Sequence, residues 1–347
     1  MSLRLRDDLL YSVVFGPGYG ESVVVRIPPD EWVVVDSCTV GGRSPALELL
    51  SEHQASCSCA ILTHPHLDHI GGFDEVMEAF PSAVVGCVSP FTERGVTWWS
   101  TADPEERLRK GVLEQVVAAI DDRLANDPNS VWILHSGSAR KFGDATLTAL
   151  HPPEDTTTAV ALNALDINTL STPLLIEWEC ARLLLGADLP KKEWDNLSPS
   201  WRFLDNHASL KTPHHGSKAA ISKVFAGGSS ADRDRLWVVT PFNKGRKLPS
   251  FTDDDGTDRM LKHVDSLHLT GLPVAHDLQG KTPCETSRED LRDGRHPRPV
   301  VEPLPGGLEI QREPDVADPL TTYVAVGVDR DGNVADTQYG PGSVVVR

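Results

Sequence analysis

Histidine and aspartate crowd one short stretch of this chain. His64-Pro65-His66-Leu67-Asp68-His69 puts three imidazoles and a carboxylate within six positions. Neutral imidazole nitrogen and carboxylate oxygen are ordinary ligands of zinc and similar first-row metals. His64 and His66 lie two apart, so on extended backbone they point the same way. Asp68 and His69 fall on the following turn and face a neighbouring position. Two more places supply donors of the same kind. Asp188 follows an apolar run in Leu185-Gly186-Ala187-Asp188, and a second histidine pair stands in Pro213-His214-His215-Gly216-Ser217. Six or seven donors suit two ions better than one. A shared carboxylate would bridge ions roughly 3.5–4 Å apart, with a hydroxide between them as nucleophile. Such a centre needs no serine or cysteine nucleophile, and the sequence has no G-x-S-x-G, P-loop or dinucleotide fingerprint. A histidine-rich surface loop would explain neither the spacing nor the flanking Ala60-Ile61-Leu62 and Gly71-Gly72.

Donors converge only if strands end where they stand. Residues 60–63 read as a buried strand end and 74–80 as the helix after the histidine loop, so that loop joins strand to helix. Residues 11–15, 22–27 and 31–38 read as β-branched strands. Asp36 ends the third; it either caps the next turn or orients a metal ligand from behind. Ser44 and Pro45 open a helix over 44–53. Residues 83–88, 131–134, 145–150, 173–178, 181–185 and 236–240 read as further strands, with a hairpin at Glu179-Cys180. An amphipathic helix over 105–124 has the length of an insertion beside the core, within a polar stretch at about 92–126. Trp98-Trp99 ahead of it would pack or form a lid. Residues 194–204 in part, 218–225 and 260–269 have helical spacing, and 273–275 reads as a short strand.

The run from Thr63 to Gly72 resembles the H-x-H-x-D-H signature of the metallo-β-lactamase superfamily. The likeness continues through Asp36, the Leu-Leu-Leu-Gly-Ala-Asp188 segment and the Pro213–Ser217 motif. With Asn168-x-x-Ser171 before it and Asn243 after it, that motif is similar to the metallo-β-lactamase domain of the ComEC competence proteins and their soluble relatives. The resemblance covers roughly residues 10–280. It implies an α/β fold, a four-layer αβ/βα sandwich of two mixed β-sheets with outer helices and a dinuclear site at the sheet edge. Carried over by position, it implies His64 and His66 on the first metal, Asp68 and His69 on the second, and Asp188 between them. One of His214 and His215 would complete the second site. The Pro-Gly-His-Gly of other members favours His215 and leaves His214 to face substrate as an acid for the leaving group. Many members place a further histidine ligand before the bridging aspartate. Here His135 and His151 stand in that interval, and in ComEC-like relatives the Asn-x-x-Ser element holds the place, here Asn168 and Ser171. The implied cofactors are two divalent ions, Zn2+ with Mn2+ as the alternative. Relatives often carry His-Pro after the asparagine; this chain has Leu248-Pro249.

Composition narrows the function. The chain has 347 residues and a net charge of −17, which argues against a general nucleic-acid coat protein. Residues 211–247 are the exception: eight lysines and arginines face Asp232 and Asp234 there. Basic side chains beside two metals suit phosphate, with Lys218, Asn243, Lys244 and Lys247 as candidate contacts. The expected activity is a metal-dependent phosphodiesterase or nuclease acting on a phosphate-containing small molecule or a nucleic acid. The acidic remainder favours short or terminal substrates over long duplex. The alternatives are a carbon-ester hydrolase of lactones or thioesters, or a non-enzymatic metal-binding regulatory component. Six scattered cysteines read as reduced thiols. No apolar run has membrane-spanning length and the first residues are charged, so a cytoplasmic protein without a membrane partner is expected. Residues 1–280 form the expected catalytic domain. From 281 prolines and charges replace periodicity, giving a linker and then a C-terminal β-hairpin extension over 321–346, which either docks a protein partner or covers the core.

Overall fold

The computed structural model describes residues 3–16, 20–88, 106–153, 167–197, 201, 204–226, 235–243, 247–251, 256–271, 284–286, 298–299 and 322–346. Trp98-Trp99, residues 273–275 and Lys244 lie outside them.

β-branched runs make the first sheet. β1 (Leu10–Phe15), β2 (Ser22–Ile27) and β3 (Glu31–Val35) form an antiparallel meander, and β4 (Cys59–Leu62), β5 (Val84–Val88) and β6 (Val131–Leu134) continue it in parallel. The second sheet has β7 (Ala139–Phe142), β8 (Ala145–Ala149), β9 (Leu174–Trp178) and β10 (Ala181–Leu185) as antiparallel neighbours. Next to them β11 (Ser209–Lys211), β12 (Leu236–Val239) and β13 (Leu267–Leu269) run parallel to β10. Short strands β14 (Cys284–Thr286) and β15 (Arg298–Pro299) extend this sheet inside the segment expected to be a linker.

The layering follows from strand alternation. Leu183 and Leu185 face the core shared with the first sheet, whereas Leu184 between them joins the outer cluster. Helices α1 (Pro45–Glu52), α2 (Leu67–Ile70), α3 (Phe73–Ala79) and α4 (Glu106–Asn126) follow strands of the first sheet. Ser44 caps α1 with its hydroxyl, and Pro45 occupies the first turn. Leu113, Val116, Val117 and Ile120 of α4 are buried against the first sheet, so this helix is an outer layer of the core. On the far side, α5 (Lys191–Asp195), α6 (Lys223–Ala226) and α7 (Gly256–Met260) cover the second sheet through Trp194, Phe225 and Met260. The result is the expected four-layer α/β arrangement, two mixed sheets face to face with helices outside.

Two expectations change. The helix expected over 260–269 is a helix end followed by β13. Met260, Val264, Leu267 and Leu269 all enter the outer cluster, and the free edge of β12 takes the last three residues as a strand. The helix expected over 218–225 shrinks to α6; of that expected in part over 194–204, α5 takes in Trp194 and Asp195, and residues 198–200 and 202–203 lie outside the described residues. The terminal hairpin is present but is built into both sheets. β16 (Tyr323–Val328) pairs with β1 from Leu10↔Val328 to Phe15↔Tyr323, and β17 (Val334–Tyr339) pairs with β16. The chain then turns at Gly340-Pro341-Gly342 and sends β18 (Val344–Val346) to β13 in the other sheet. Among the described residues no helix is long and apolar enough to cross a membrane.

Candidate metal centre

The sequence motifs meet where strands of both sheets end. β3 stops at Asp36, whose backbone is left-handed at φ 56°. That turn aims the carboxylate across the end of β4. Asp36 Oδ1 accepts from the Thr63 amide at 2.7 Å and Oδ2 from the Thr63 hydroxyl at 2.7 Å. Oδ2 also lies 2.8 Å from His69 Nδ1. Asp68 and His69 sit on the single turn of α2 and not on an open loop.

From the second sheet, β10 delivers Asp188 and β11 delivers the histidine pair. Gly186 lets the two loops touch. A Cβ there would lie 2.7 Å from Pro213 N and 2.8 Å from Lys211 O. The His214 amide donates to Ala187 O at 2.8 Å. His214 and His215 are consecutive left-handed residues with φ of 48° and 52°. Two such non-glycine residues in a row are strained, and strain of this kind gathers at functional sites.

The donor atoms converge as two groups that share Asp188. His64, His66 and Asp188 form one, and Glu21, His69, Asp188 and His215 the other. His64 Nε2 is 3.1 Å from His66 Nδ1. His215 Nε2 is 3.2 Å from Asp68 Oδ2 and 3.9 Å from Asp188 Oδ2, and His69 Nε2 is 3.6 Å from Asp188 Oδ1. Ligands at about 2.0–2.2 Å from one tetrahedral ion stand roughly 3.3 Å apart, so these spacings fit a shared cation. His69 Nε2 and Asp188 Oδ1 are buried and have no hydrogen-bond partner. Among the described residues, the buried carboxylates Glu21, Asp36, Asp68 and Asp188 share this pocket with one buried ammonium, that of Lys211. The donor set therefore fits divalent metal.

Burial pushes the His64 imidazolium well down, and neighbouring His69 and His66 add to it, so this ring is a neutral donor. Burial works against charge on Asp68 too. The facing imidazoles of His69 and His215 outweigh it and hold the carboxyl below the usual range. Asp188 behaves likewise against His215 and His69.

The other expected residues fall into four sets. His214 is about a third exposed, with Nε2 4.0 Å from Asp188 Oδ2, and so lies at the mouth. Thr172 donates to Thr63 O at 3.2 Å, which sets the Asn168–Ser171 turn beside the first motif. His151 spends Nδ1 on Ser171 O at 3.2 Å and lies outside both donor groups, and His135 stays within its own turn. Lys218, Asn243 and Lys247 are exposed. Arg259, which sequence reasoning did not single out, reaches the Lys218 carbonyl at 3.4 Å. Lys211, counted with the basic segment, is a correction: it is buried against Glu21 and adds nothing to a basic surface. Glu21 and Thr240 were missed as well.

A polar cavity of about 540 Å³ opens at the other end of β10–β12, between Arg182, His207, Arg235 and Asn333. Arg182 there is engaged by Glu177 and His207 by Leu204 O and Trp237 Nε1.

Residues 15–166 match the family model described as Metallo-beta-lactamase superfamily. The matched stretch is less than half of the chain; it carries the His64–His69 motif and stops short of Asp188 and His215. Over 65 residues the chain is 37% identical to a hydroxyacylglutathione hydrolase of Klebsiella pneumoniae, covering 19% of this chain and 25% of that protein. Over 61 residues it is 43% identical to a hydroxyacylglutathione hydrolase of Aliivibrio fischeri, covering 18% and 22%. The chain thus spans about a quarter of the length of these relatives. The metallo-beta-lactamase fold protein YhfI from Bacillus subtilis is 13% identical, with 76% of this chain and 95% of that chain covered and a TM-score of 0.39. A metallo-beta-lactamase from Staphylococcus aureus is 14% identical, with 52% and 43% covered and a TM-score of 0.31. At that distance neither structural likeness bears on activity.

Proposed function

We propose that this chain is a dinuclear metal-dependent hydrolase of phosphodiesters, related to the soluble ComEC-like proteins. The observation that carries it is the pair of donor groups meeting at Asp188. His64 Nε2 and His66 Nδ1 would hold the first ion and His69 Nε2 and His215 Nε2 the second, with Asp188 common to both; Asp68, 3.2 Å from His215 Nε2, would join the second in place of Glu21, whose carboxylate faces the Nδ1 atoms. Two divalent ions, zinc or manganese, supply Lewis acidity when bound and make water a competent nucleophile near neutral pH. His214, half-buried at the mouth, gives a proton to the leaving group. Lys218 and Arg259 support a phosphate-bearing substrate, since both stand by the loop that carries His214. With Lys211 withdrawn into the interior, the cationic surface is small, which favours a short or terminal substrate over extended duplex.

A carbon-ester substrate is the second reading. The local identity to hydroxyacylglutathione hydrolases favours it, because the same centre would attack a carbonyl.

Metal analysis followed by bis-p-nitrophenyl phosphate, short oligonucleotides, lactones and thioesters separates the two. The expected result is two ions per chain and turnover of the phosphodiesters. Asp68→Ala loses the second ion and the activity. His214→Ala keeps both ions and lowers kcat by roughly 10²- to 10⁴-fold. Full phosphodiesterase activity in Asp68→Ala would sink the mechanism.

A further inference from the structure

Three buried histidines at this centre have their Nδ1 atoms pinned, and the hydrogen-bond directions fix how. An ionised carboxylate only accepts, and a threonine hydroxyl has one proton to give. The Thr63 hydroxyl gives its proton to Asp36, so at 3.1 Å from His64 Nδ1 it must accept. His69 Nδ1 donates directly to Asp36 Oδ2. His64 and His69 therefore each carry the proton on Nδ1 and present Nε2 to the pocket, and both depend on Asp36.

His215 comes from the other sheet, beyond the reach of Asp36, yet has an arm of the same construction. Thr240 Oγ1 donates to Glu21 Oε2 at 2.8 Å and lies 3.1 Å from His215 Nδ1, so it must accept from that nitrogen. Glu21 is brought there by its amide, which donates to Asp68 O at 2.8 Å, and by Gly20, left-handed at φ 93°. The Glu21 carboxylate is 3.6 Å from Nδ1 of both His69 and His215, whereas Asp68 and Asp188 face their Nε2 atoms. Lys211 pairs with the same carboxylate from beneath and is buried with it. Glu21 thus stands behind the histidines, and its own cation is the lysine.

We infer that Glu21, acting through Thr240 and held by Lys211, is the positioning residue for His215, the counterpart in the second sheet of what Asp36 does in the first. This rests on the dinuclear reading above. A partner of this kind fixes a ligating histidine's tautomer and ring orientation, and losing it typically costs 10- to 100-fold in metal affinity. The arm serves the ion that His215 holds and leaves the His64–His66 ion alone.

Thr240→Val cuts the arm while keeping side-chain shape and leaving the Glu21–Lys211 pair in place. Metal-free protein is titrated with Zn2+ against a chromogenic chelator, and Co2+-loaded protein is read by its visible spectrum. The expected result is one ion bound as in the parent and the other weakened 10- to 100-fold, with a changed Co2+ spectrum. Thr240→Ser, which restores the hydroxyl, returns both. The double variant Glu21→Gln/Lys211→Met, which removes one charge of each sign, gives the same selective loss and serves if Thr240→Val does not fold. Two ions bound with parent affinity in a folded Thr240→Val or double variant would overturn the inference while leaving the dinuclear reading intact. Equal weakening of both ions would also overturn it, since it would mark general loosening. A parent protein that binds no ion would defeat the dinuclear reading and this inference with it.

Discussion

Burial sorts the histidines of this chain into two kinds. His69 and His215 are deep in the protein, yet the carboxylates around them raise their pKa against the pull of desolvation. His151 and His207 are buried without such neighbours, and desolvation pushes each down to about 4. His207 is fully used as a neutral ring, donating to Leu204 O at 2.6 Å and accepting from Trp237 Nε1 at 3.1 Å. The unfolded chain protonates these two side chains near 6.5, the folded chain near 4. Between those values the unfolded state binds more protons, so stability falls as pH falls from 6.5 to 4. Each histidine contributes a loss on the order of 3 kcal/mol over that window. Urea unfolding at pH 7 and pH 4.5, with chelator present to keep metal release out of the measurement, checks this. His207→Gln should flatten the slope by about one proton.

At the scale of elements, the site depends on how closely two strand ends approach. The β10 and β11 loops touch through Gly186, and a methyl group there would meet backbone atoms that cannot move aside. Gly186→Ala is expected to push Asp188 away from His215, to lower activity at least tenfold and to destabilise the fold by roughly 2 kcal/mol, within the range of overpacking. Activity assays with urea titration test both parts. The same elements show what was legible beforehand. The strands that carry the histidine loop and Asp188 hold apolar runs, Ala60-Ile61-Leu62 and Leu183-Leu184-Leu185, that end close to donors, so local sequence was enough there; the histidine pair was legible from its own motif, since β11 before it is the mixed run Ser209-Leu210-Lys211. The α2 turn was less visible because four residues are too few for a period. The Glu21–Lys211 pair was not legible at all: its partners are 190 positions apart, and each alone reads as a surface charge. The segment at 260–269 misled because Met260, Val264 and Leu267 are spaced as on a helix, while the open edge of β12 made a strand the better home.

At the scale of the whole molecule, residues 322–346 hold the two sheets in register with each other. β16 covers β1 along its full length, and β18 lies against β13. Val324, Ala325, Val326, Val344 and Val346 are fully buried. A chain truncated after residue 321 should lose a cooperative thermal transition and not merely a docking surface. Differential scanning calorimetry decides it; a sharp transition near that of the full chain would show that the segment is dispensable.

The pairing of Leu10 with Val328 also sets an order of events during synthesis. β1 is made more than 300 residues before its neighbour β16. Until then the outer edge of β1 offers open backbone donors and acceptors to any strand nearby. Contacts of such sequence separation close slowly. A nascent chain therefore carries an uncovered edge until β16 arrives. Folding yield should therefore fall as the ribosomes become more crowded.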